Sequence, residues 1–473
     1  MSTLSTTQSD ARPFEMGGGT SVTPAMLAGF IRGFLAELRQ TQFLPPADLI
    51  LRQRRFLEPV VRHARTHVPF YRDSGRLDVL FGADGAIDWD RWSEIAPLSR
   101  GDVQRAGDAL RSEMFQGNSH PYSTSGATGE PLTVWHAELS DRIVRTAVIL
   151  RDCEHYGIDP TKRLLFFGVS PPTGIESKGI RRQDVWYAGF ATLDLRGERF
   201  DCIDSLAPRE LIDIASDIKP DYLGAHPVAL ELMVAHDSEQ RLRKLGFEAA
   251  MATGGGFSDG AKPSVEQALG CPIMQVYGSN ECLRMARSCP ECGRYHVHSD
   301  VVHLEVIDDE GAEAAVGETG WVIATPLYSY AMPLIRYHHA DRAIRGAPGG
   351  CDVMLPALDA VLGKEQPPFV FPGGLAIRPK VPIKAVIDYL GAQSFEIAQV
   401  APDRCELRFV RGRLSPAELR FDEMTALLRS IWWPGLLMDY RMVDALPRPT
   451  PGAKIANFVR SGGSFSSAGA RLA

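Results

Sequence analysis

Apolar residues recur at helical spacing across residues 24–66, as in Met26, Phe30, Phe34, Leu35 and Leu38, and predict amphipathic helix there. From 140 to 340, helical periodicity alternates with short apolar runs. Leu164-Leu165-Phe166-Phe167-Gly168-Val169 reads as a buried strand. Residues 208–218 read as a helix with proline in its first turn, and 222–225 as the strand after it. Such alternation predicts an α/β architecture with a substantially parallel sheet. Residues 302–308 and 320–325 read as exposed strands around a turn at 308–311. Near Gly363 the pattern changes, and the rest reads as a small α+β unit. Residues 1–22, rich in Ser, Thr and Gly, predict a disordered tail. The plan is therefore a tail (1–22), a large domain (23–362) and a small C-terminal domain (363–473).

Composition narrows the class. A chain of 473 residues exceeds one ordinary core, so two or more domains are expected. With 44% hydrophobic and 23% charged residues it falls among soluble globular proteins. The net charge of −7 argues against nucleic acid as the main partner. No run of about 18 apolar residues predicts a membrane span. The N-terminus lacks a basic-then-apolar secretory pattern, so a cytoplasmic location is expected. Eight cysteines do not make a disulfide framework in a chain of this length. Two of them form a knuckle, Cys289-Pro290-Glu291-Cys292, with His296 and His298 close behind. That spacing suits half of a tetrahedral Zn²⁺ site, and Cys282 is a spare candidate. A redox pair is the alternative, but no thioredoxin-like context surrounds it.

The densest chemical signal is Tyr122-Ser123-Thr124-Ser125-Gly126-Ala127-Thr128-Gly129-Glu130-Pro131. Glycine permits positive φ and lets backbone N–H groups approach an anion, and the hydroxyls add donors to the same curve. The loop suits a polyphosphate, although no Gly-Lys-Ser/Thr closes it as in a Walker loop. Downstream lie Thr253-Gly254-Gly255-Gly256, Tyr277-Gly278-Ser279-Asn280-Glu281, Pro333-Leu334-Ile335-Arg336-Tyr337-His338-His339-Ala340-Asp341 and Pro451-Gly452-Ala453-Lys454.

In these phrases and in this order the chain resembles the adenylate-forming superfamily, whose phosphate loop reads S-S-G-T-T-G-K-P. His67-Val68-Pro69-Phe70-Tyr71-Arg72 and Ala96-Pro97-Leu98-Ser99-Arg100-Gly101-Asp102-Val103 are similar to phrases of its phenylacetate–CoA ligase branch. The resemblance spans residues from about 50 to about 460. It implies a large multi-layer α/β domain with a small mobile α+β C-terminal domain. It also implies ATP-dependent conversion of an aryl or arylacetic acid to an acyl-adenylate, then to a coenzyme A thioester. A carrier protein as acceptor, AMP transfer as in coenzyme F390 synthesis, or a degenerate nucleotide-binding protein are the alternatives.

The resemblance also assigns roles. Ser123, Thr124, Ser125, Gly126, Thr128 and Gly129 would grip the phosphates, with Gly254 and Gly255 along the nucleotide. Glu281 would hold Mg²⁺, which is commonly bound by one or two carboxylates plus phosphate oxygens. Tyr277 would stack on adenine beside Gly278, and the Asp341 carboxylate would accept from both ribose hydroxyls. His226 would stand beside the acid's carboxylate, and Lys454 would reach the α-phosphate, where charge develops. Gly363-Lys364 would be the hinge, and Arg336 would support the Asp341 loop. For zinc, Cys351 would join Cys289, Cys292 and either His296 or His298. The chain departs from the pattern at Ala127, Glu130, Gly256, Ala340 and Lys364. Of these, Glu130 puts a carboxylate where the family has a lysine beside phosphate.

Overall fold

The computed structural model describes residues 14–16, 20–115, 117–124, 132–168, 180–203, 206, 208–257, 260–364, 368–377, 379, 381, 383–412, 414–444, 446, 458–460 and 471–472. Its central element is a mixed twelve-stranded sheet. One half is parallel, in the spatial order Ile273–Ser279, Ala249–Thr253, Tyr222–Ala225, Leu164–Gly168 and Arg199–Ile203. Ile180–Gln183 pairs antiparallel at its edge. Helices Pro208–Ile218, Pro227–His236 and Ala261–Leu269 connect or follow these strands. They cover the sheet, so Tyr222–Ala225 is buried along its whole length and shows no alternation.

The other half is antiparallel: Leu283–Ser288, Tyr295–Val297, Ala357–Lys364, Tyr337–Arg345, Thr319–Pro326 and Val302–Ile307. The sheet is thus parallel only in part. The strands expected to be exposed at 302–308 and 320–325 pair with each other, but the second is buried, with Val322, Ile323 and Ala324 fully covered. Helix Pro46–His67 supplies Leu57, Val61 and Ala64 to the same core, and this cover internalises the strand. Their connection runs past the expected turn. Asp308 accepts from the backbone N–H of Glu310 and Ala312, and a bridge then joins Ile307 to Glu313.

The stretch 24–66 forms two helices, Pro24–Thr41 and Pro46–His67, because Pro45 and Pro46 interrupt the first. In the first helix the buried stripe is Leu27, Ala28, Ile31, Leu35 and Leu38. Met26 and Phe30, expected on that stripe, lie exposed beside it. Within the expected tail, Phe14–Met16 and Thr20–Val22 pair antiparallel.

The C-terminal part builds a separate core. A four-stranded sheet (Leu437–Val443, Arg404–Arg411, Ala392–Ala401, Phe458–Arg460) and helices Ile383–Leu390 and Phe421–Ile431 bury Leu390, Phe395, Leu407, Phe409, Leu428 and Trp432. A large α/β unit followed by a smaller α+β unit is the expected fold class. Val228 and Leu232, from helix Pro227–His236, pack on this smaller core. Among the described residues, no helix is long and apolar enough to cross a membrane.

Candidate active site

Strands Tyr222–Ala225, Ala249–Thr253 and Ile273–Ser279 run parallel, with Ala225 opposite Ala252 and Thr253 opposite Val276. Their carboxyl ends therefore emerge together, where open α/β sheets place ligands. His226, Gly254–Gly256 and Tyr277–Glu281 all leave from these ends.

His226 caps helix Pro227–His236. Its Nδ1 accepts from the Val228 N–H at 3.4 Å, and its Nε2 lies 3.2 Å from the Gly254 carbonyl. A carbonyl can only accept, so Nε2 carries the proton and Nδ1 the lone pair. The ring lies directly over Gly255, where a Cβ would come within 2.5 Å of Nε2. Gln275 donates to the Gly255 carbonyl at 3.3 Å and ties this turn to the next strand.

The Tyr-Gly-Ser-Asn-Glu phrase is bent by a register shift between Tyr277 and Gly278. A Cβ on Gly278 would meet the Leu283 carbonyl at 2.3 Å, so the bend requires glycine. Two contacts fasten the phrase to the hairpin Ser119–Thr124/Leu132–Ala137. Asn280 Nδ2 donates to the Ser123 carbonyl at 3.0 Å, and His136 Nε2 lies 2.7 Å from the Asn280 carbonyl. Ser123 Oγ lies 3.3 Å from Thr133 Oγ1. The glycine-rich loop at the tip of this hairpin, from Ser125 through Gly126, Ala127, Thr128, Gly129 and Glu130, lies outside the described residues, as does the side chain of Thr124.

Glu281 is 8% exposed. Its Oε1 accepts from the Tyr337 hydroxyl at 3.3 Å and faces Arg100 Nη1 at 3.8 Å. Burial pushes the Tyr337 phenol well up, which keeps it protonated and donating. Asp341 accepts from the Tyr277 hydroxyl at 2.9 Å, so the residues assigned to adenine and to ribose touch each other. Lys364 stands directly opposite Asp341 on the neighbouring strand, which places the expected hinge cation on the large sheet beside that carboxylate. Arg336 is buried and satisfied. It forks onto Glu305 at 2.9 and 3.1 Å and donates to the Ser93 and Ile95 carbonyls at 2.7 and 2.5 Å. Ala340 adopts φ +57°, a left-handed conformation that favours glycine. Lys454 and the segment 365–367 after Lys364 lie outside the described residues.

Several residues at the site had no assigned role. Arg100 belongs to a phrase that carries the resemblance, yet a basic residue opening a helix reads as solvated. His136 and Asn280 act through one ring nitrogen and one amide, which leaves no sequence pattern. Beyond Glu281, Cys282 Sγ contacts His339 Nε2 at 3.3 Å in the interior. Next to them a cleft is lined by His136, Asp141, Arg145, Cys282, Arg284 and Tyr328, among others.

The structure also gathers Cys289, Cys292, His296 and Cys351, with one ligand atom from each within 4.8 Å of the others. His296 Nε2 lies 3.5 Å from Cys292 Sγ and 3.2 Å from Cys351 Sγ, and Cys289 Sγ lies 3.9 Å from Cys351 Sγ. His298 is not among them. It is buried 3.1 Å from Asp152. Cys282 is held by His339 instead.

No protein-family model matches the chain, and no curated protein matches it. Solved structures do. The crystal structure of 2-hydroxyisobutyryl-CoA ligase in the postadenylation state with R3-HIB-AMP is 17% identical and superposes with a TM-score of 0.68, covering 89% of this chain and 92% of that one. The same ligase with 2-HIB-AMP, also postadenylation, is 17% identical with a TM-score of 0.65, covering 88% and 90%. In the thioesterification state, with 2-HIB-AMP and CoA, it is 18% identical with a TM-score of 0.57, covering 89% and 92%. Nearly the whole of both chains is covered, and the fold of this chain is that of the adenylate-forming CoA ligases.

Proposed function

We propose that the protein is an AMP-forming acid–thiol ligase of the acyl-CoA synthetase type, acting on a small carboxylic acid. The acid's carboxylate oxygen attacks the α-phosphate of ATP, forming the acyl-adenylate and expelling pyrophosphate. The sulfur of coenzyme A then attacks the acyl carbonyl, forming the thioester and releasing AMP. An aryl or arylacetic acid is the substrate class we favour, on the phrases at 67–72 and 96–103.

One observation supports this reading above the others. Asn280 binds the hairpin of the glycine-rich loop, Glu281 follows it, and Tyr277 of the same phrase binds Asp341. Candidate groups for phosphate, Mg²⁺ and ribose are thus joined through five consecutive residues, at the carboxyl ends of parallel strands. Asp341 would accept from the ribose hydroxyls, with the Tyr277 hydroxyl fixing the carboxylate's orientation. A carboxylate is a hard oxygen donor of the kind that suits Mg²⁺, and Glu281 would hold the ion against the phosphates. When bound, the ion offsets the phosphates' negative charge. The acid's carboxylate would lie beside His226, whose Nε2–H is already directed at this turn. Lys454 would supply a cation at the α-phosphate, and Gly363–Lys364 would form the hinge between units 23–362 and 363–473. Positioning and fixed charge would do most of the work.

The test is ATP–pyrophosphate exchange across a panel of aryl, arylacetic and short hydroxy acids, followed by addition of coenzyme A. Acid-dependent exchange with thioester formation is the expected result. Exchange that turns over only with a carrier protein changes the acceptor. No exchange with any acid refutes adenylation.

A further inference from the structure

The Cys/His cluster has the dimensions of a filled tetrahedron. With Zn–S ≈ 2.3 Å and Zn–N ≈ 2.0–2.1 Å, tetrahedral angles require S···S of ~3.8 Å and S···N of ~3.6 Å. The S···S separation of 3.9 Å and the S···N separations of 3.5 and 3.2 Å fall within ~0.4 Å of these values. His296 offers Nε2 to the thiols, while its Nδ1 lies 3.4 Å from the Leu355 carbonyl. A carbonyl partner on the far nitrogen is how ligating histidines are oriented. A histidine that ligates a metal does so as the neutral imidazole. His155 Nε2 lies 3.4 Å from Cys289 Sγ, where a ring N–H would support a thiolate.

Beneath the cluster lies a group of buried charges that does not balance. Arg151 pairs with Asp300. Asp152 serves Arg284 at 2.8 Å, Arg287 at 3.1 Å and His298 at 3.1 Å. Three guanidinium ions thus face two carboxylates. The surplus falls on Arg287, which is 0% exposed and whose Nη2 is buried without a hydrogen-bond partner. Arg287 stands directly opposite His296 on the paired strand and two residues before Cys289. Two further cations near the cluster are paired, Lys262 with Glu266 at 3.7 Å and Arg294 with Asp359 at 3.1 Å. A divalent ion with three thiolates and a neutral imidazole carries one net negative charge, which is what Arg287 lacks.

We propose that Cys289, Cys292, His296 and Cys351 hold a zinc ion whose anionic thiolate shell neutralises the buried Arg287. The site is closed and takes no substrate. Its charge frees Asp152 to hold Arg284, which lines the cleft behind Glu281. This inference is independent of the ligase reading.

Elemental analysis of protein purified without an affinity tag should give about one zinc per chain, as four protein ligands complete a structural site. In chelator competition, Arg287→Met should weaken zinc binding ~10- to 100-fold, the range for loss of an outer-shell partner, whereas Arg287→Lys should stay within ~3-fold. The decisive reading is a change of sign. Arg287→Met should lower the thermal midpoint of the zinc-loaded protein and raise that of the stripped protein, where it removes an unbalanced buried cation. Cys351→Ser, which does not depend on the arginine variant folding, should lose the zinc. Protein purified without zinc, a Cys289–Cys351 disulfide by intact mass, zinc retained in Cys351→Ser, or an Arg287→Met shift of one sign in both forms would each overturn the proposal.

Discussion

Alanine at Gly255 and at Gly256 should have sharply different effects, although both glycines lie outside the positive-φ positions. Each substitution removes backbone freedom from the unfolded chain to a similar extent. Sterics separate them. A Cβ at 256 finds its nearest neighbour, the Val361 carbonyl, at 3.9 Å, an ordinary contact. A Cβ at 255 would stand 2.5 Å from Nε2 and 2.8 Å from Cε1 of His226, so the ring must turn away. Turning costs the bond to the Gly254 carbonyl, ~1 kcal/mol, and the cap on the Val228 N–H, ~1 kcal/mol. Gly255→Ala should therefore be ~2 kcal/mol less stable than Gly256→Ala in urea unfolding. If His226 stands beside the acid, pyrophosphate exchange should also fall ~10-fold or more in Gly255→Ala alone, by the equivalence of ~1.4 kcal/mol to a factor of ten. Two variants within ~0.5 kcal/mol of each other would refute the packing argument, since that is the scatter expected of unrelated sites.

Glu281→Gln should raise the Mg²⁺ concentration for half-maximal exchange by ~10-fold or more while leaving acid binding alone, because an amide oxygen lacks the carboxylate's charge. An unchanged Mg²⁺ titration rejects the assignment. Ala340→Gly should stabilise the protein by ~0.5–1 kcal/mol, the left-handed penalty at φ +57° less the added freedom of glycine. A destabilised Ala340→Gly in chemical unfolding counts against this. Burial, with the charges of His338 and Lys364, pulls His339 down to about 3 from its ordinary value near 6.5. The unfolded chain then binds the extra proton first, so His339 adds stability that is fully present above about pH 6.5 and is lost as pH falls towards 3. Unfolding free energy should decline across that window, and His339→Gln should flatten the decline. An identical pH slope in the variant would show that other groups carry it.

The order of the functional phrases was legible because each is a short local pattern. Strand 164–168, helix 208–218 and strand 222–225 were legible too, since burial on both faces leaves continuous apolar runs and Pro208 marks a helix start. The antiparallel half was harder. Thr319–Pro326 is covered by the helix Pro46–His67, hundreds of residues earlier, and nothing local distinguishes it from an exposed hairpin arm. The site's connections have the same character. Asn280 reaches Ser123 across 157 residues and Tyr277 reaches Asp341 across 64. The sulfurs of Cys289 and Cys351 meet across 62 residues, with one glycine-rich turn to mark the second. No local pattern in the sequence groups Arg151, Asp152, Arg287 and Asp300. Only the fold shows that they share one interior.

The strand Ala357–Lys364 links two places that are far apart. Ala357 stands opposite His296, and Lys364 stands opposite Asp341. Seven steps of ~3.3 Å make a span of ~23 Å between the cysteine cluster and the carboxylate assigned to ribose. Between those ends Ala357–Lys364 is paired along one side by Tyr337–Arg345, so its amides should open to deuterium together with that strand's rather than fray singly. Their exchange rate then reports on both ends at once, with no probe placed at either.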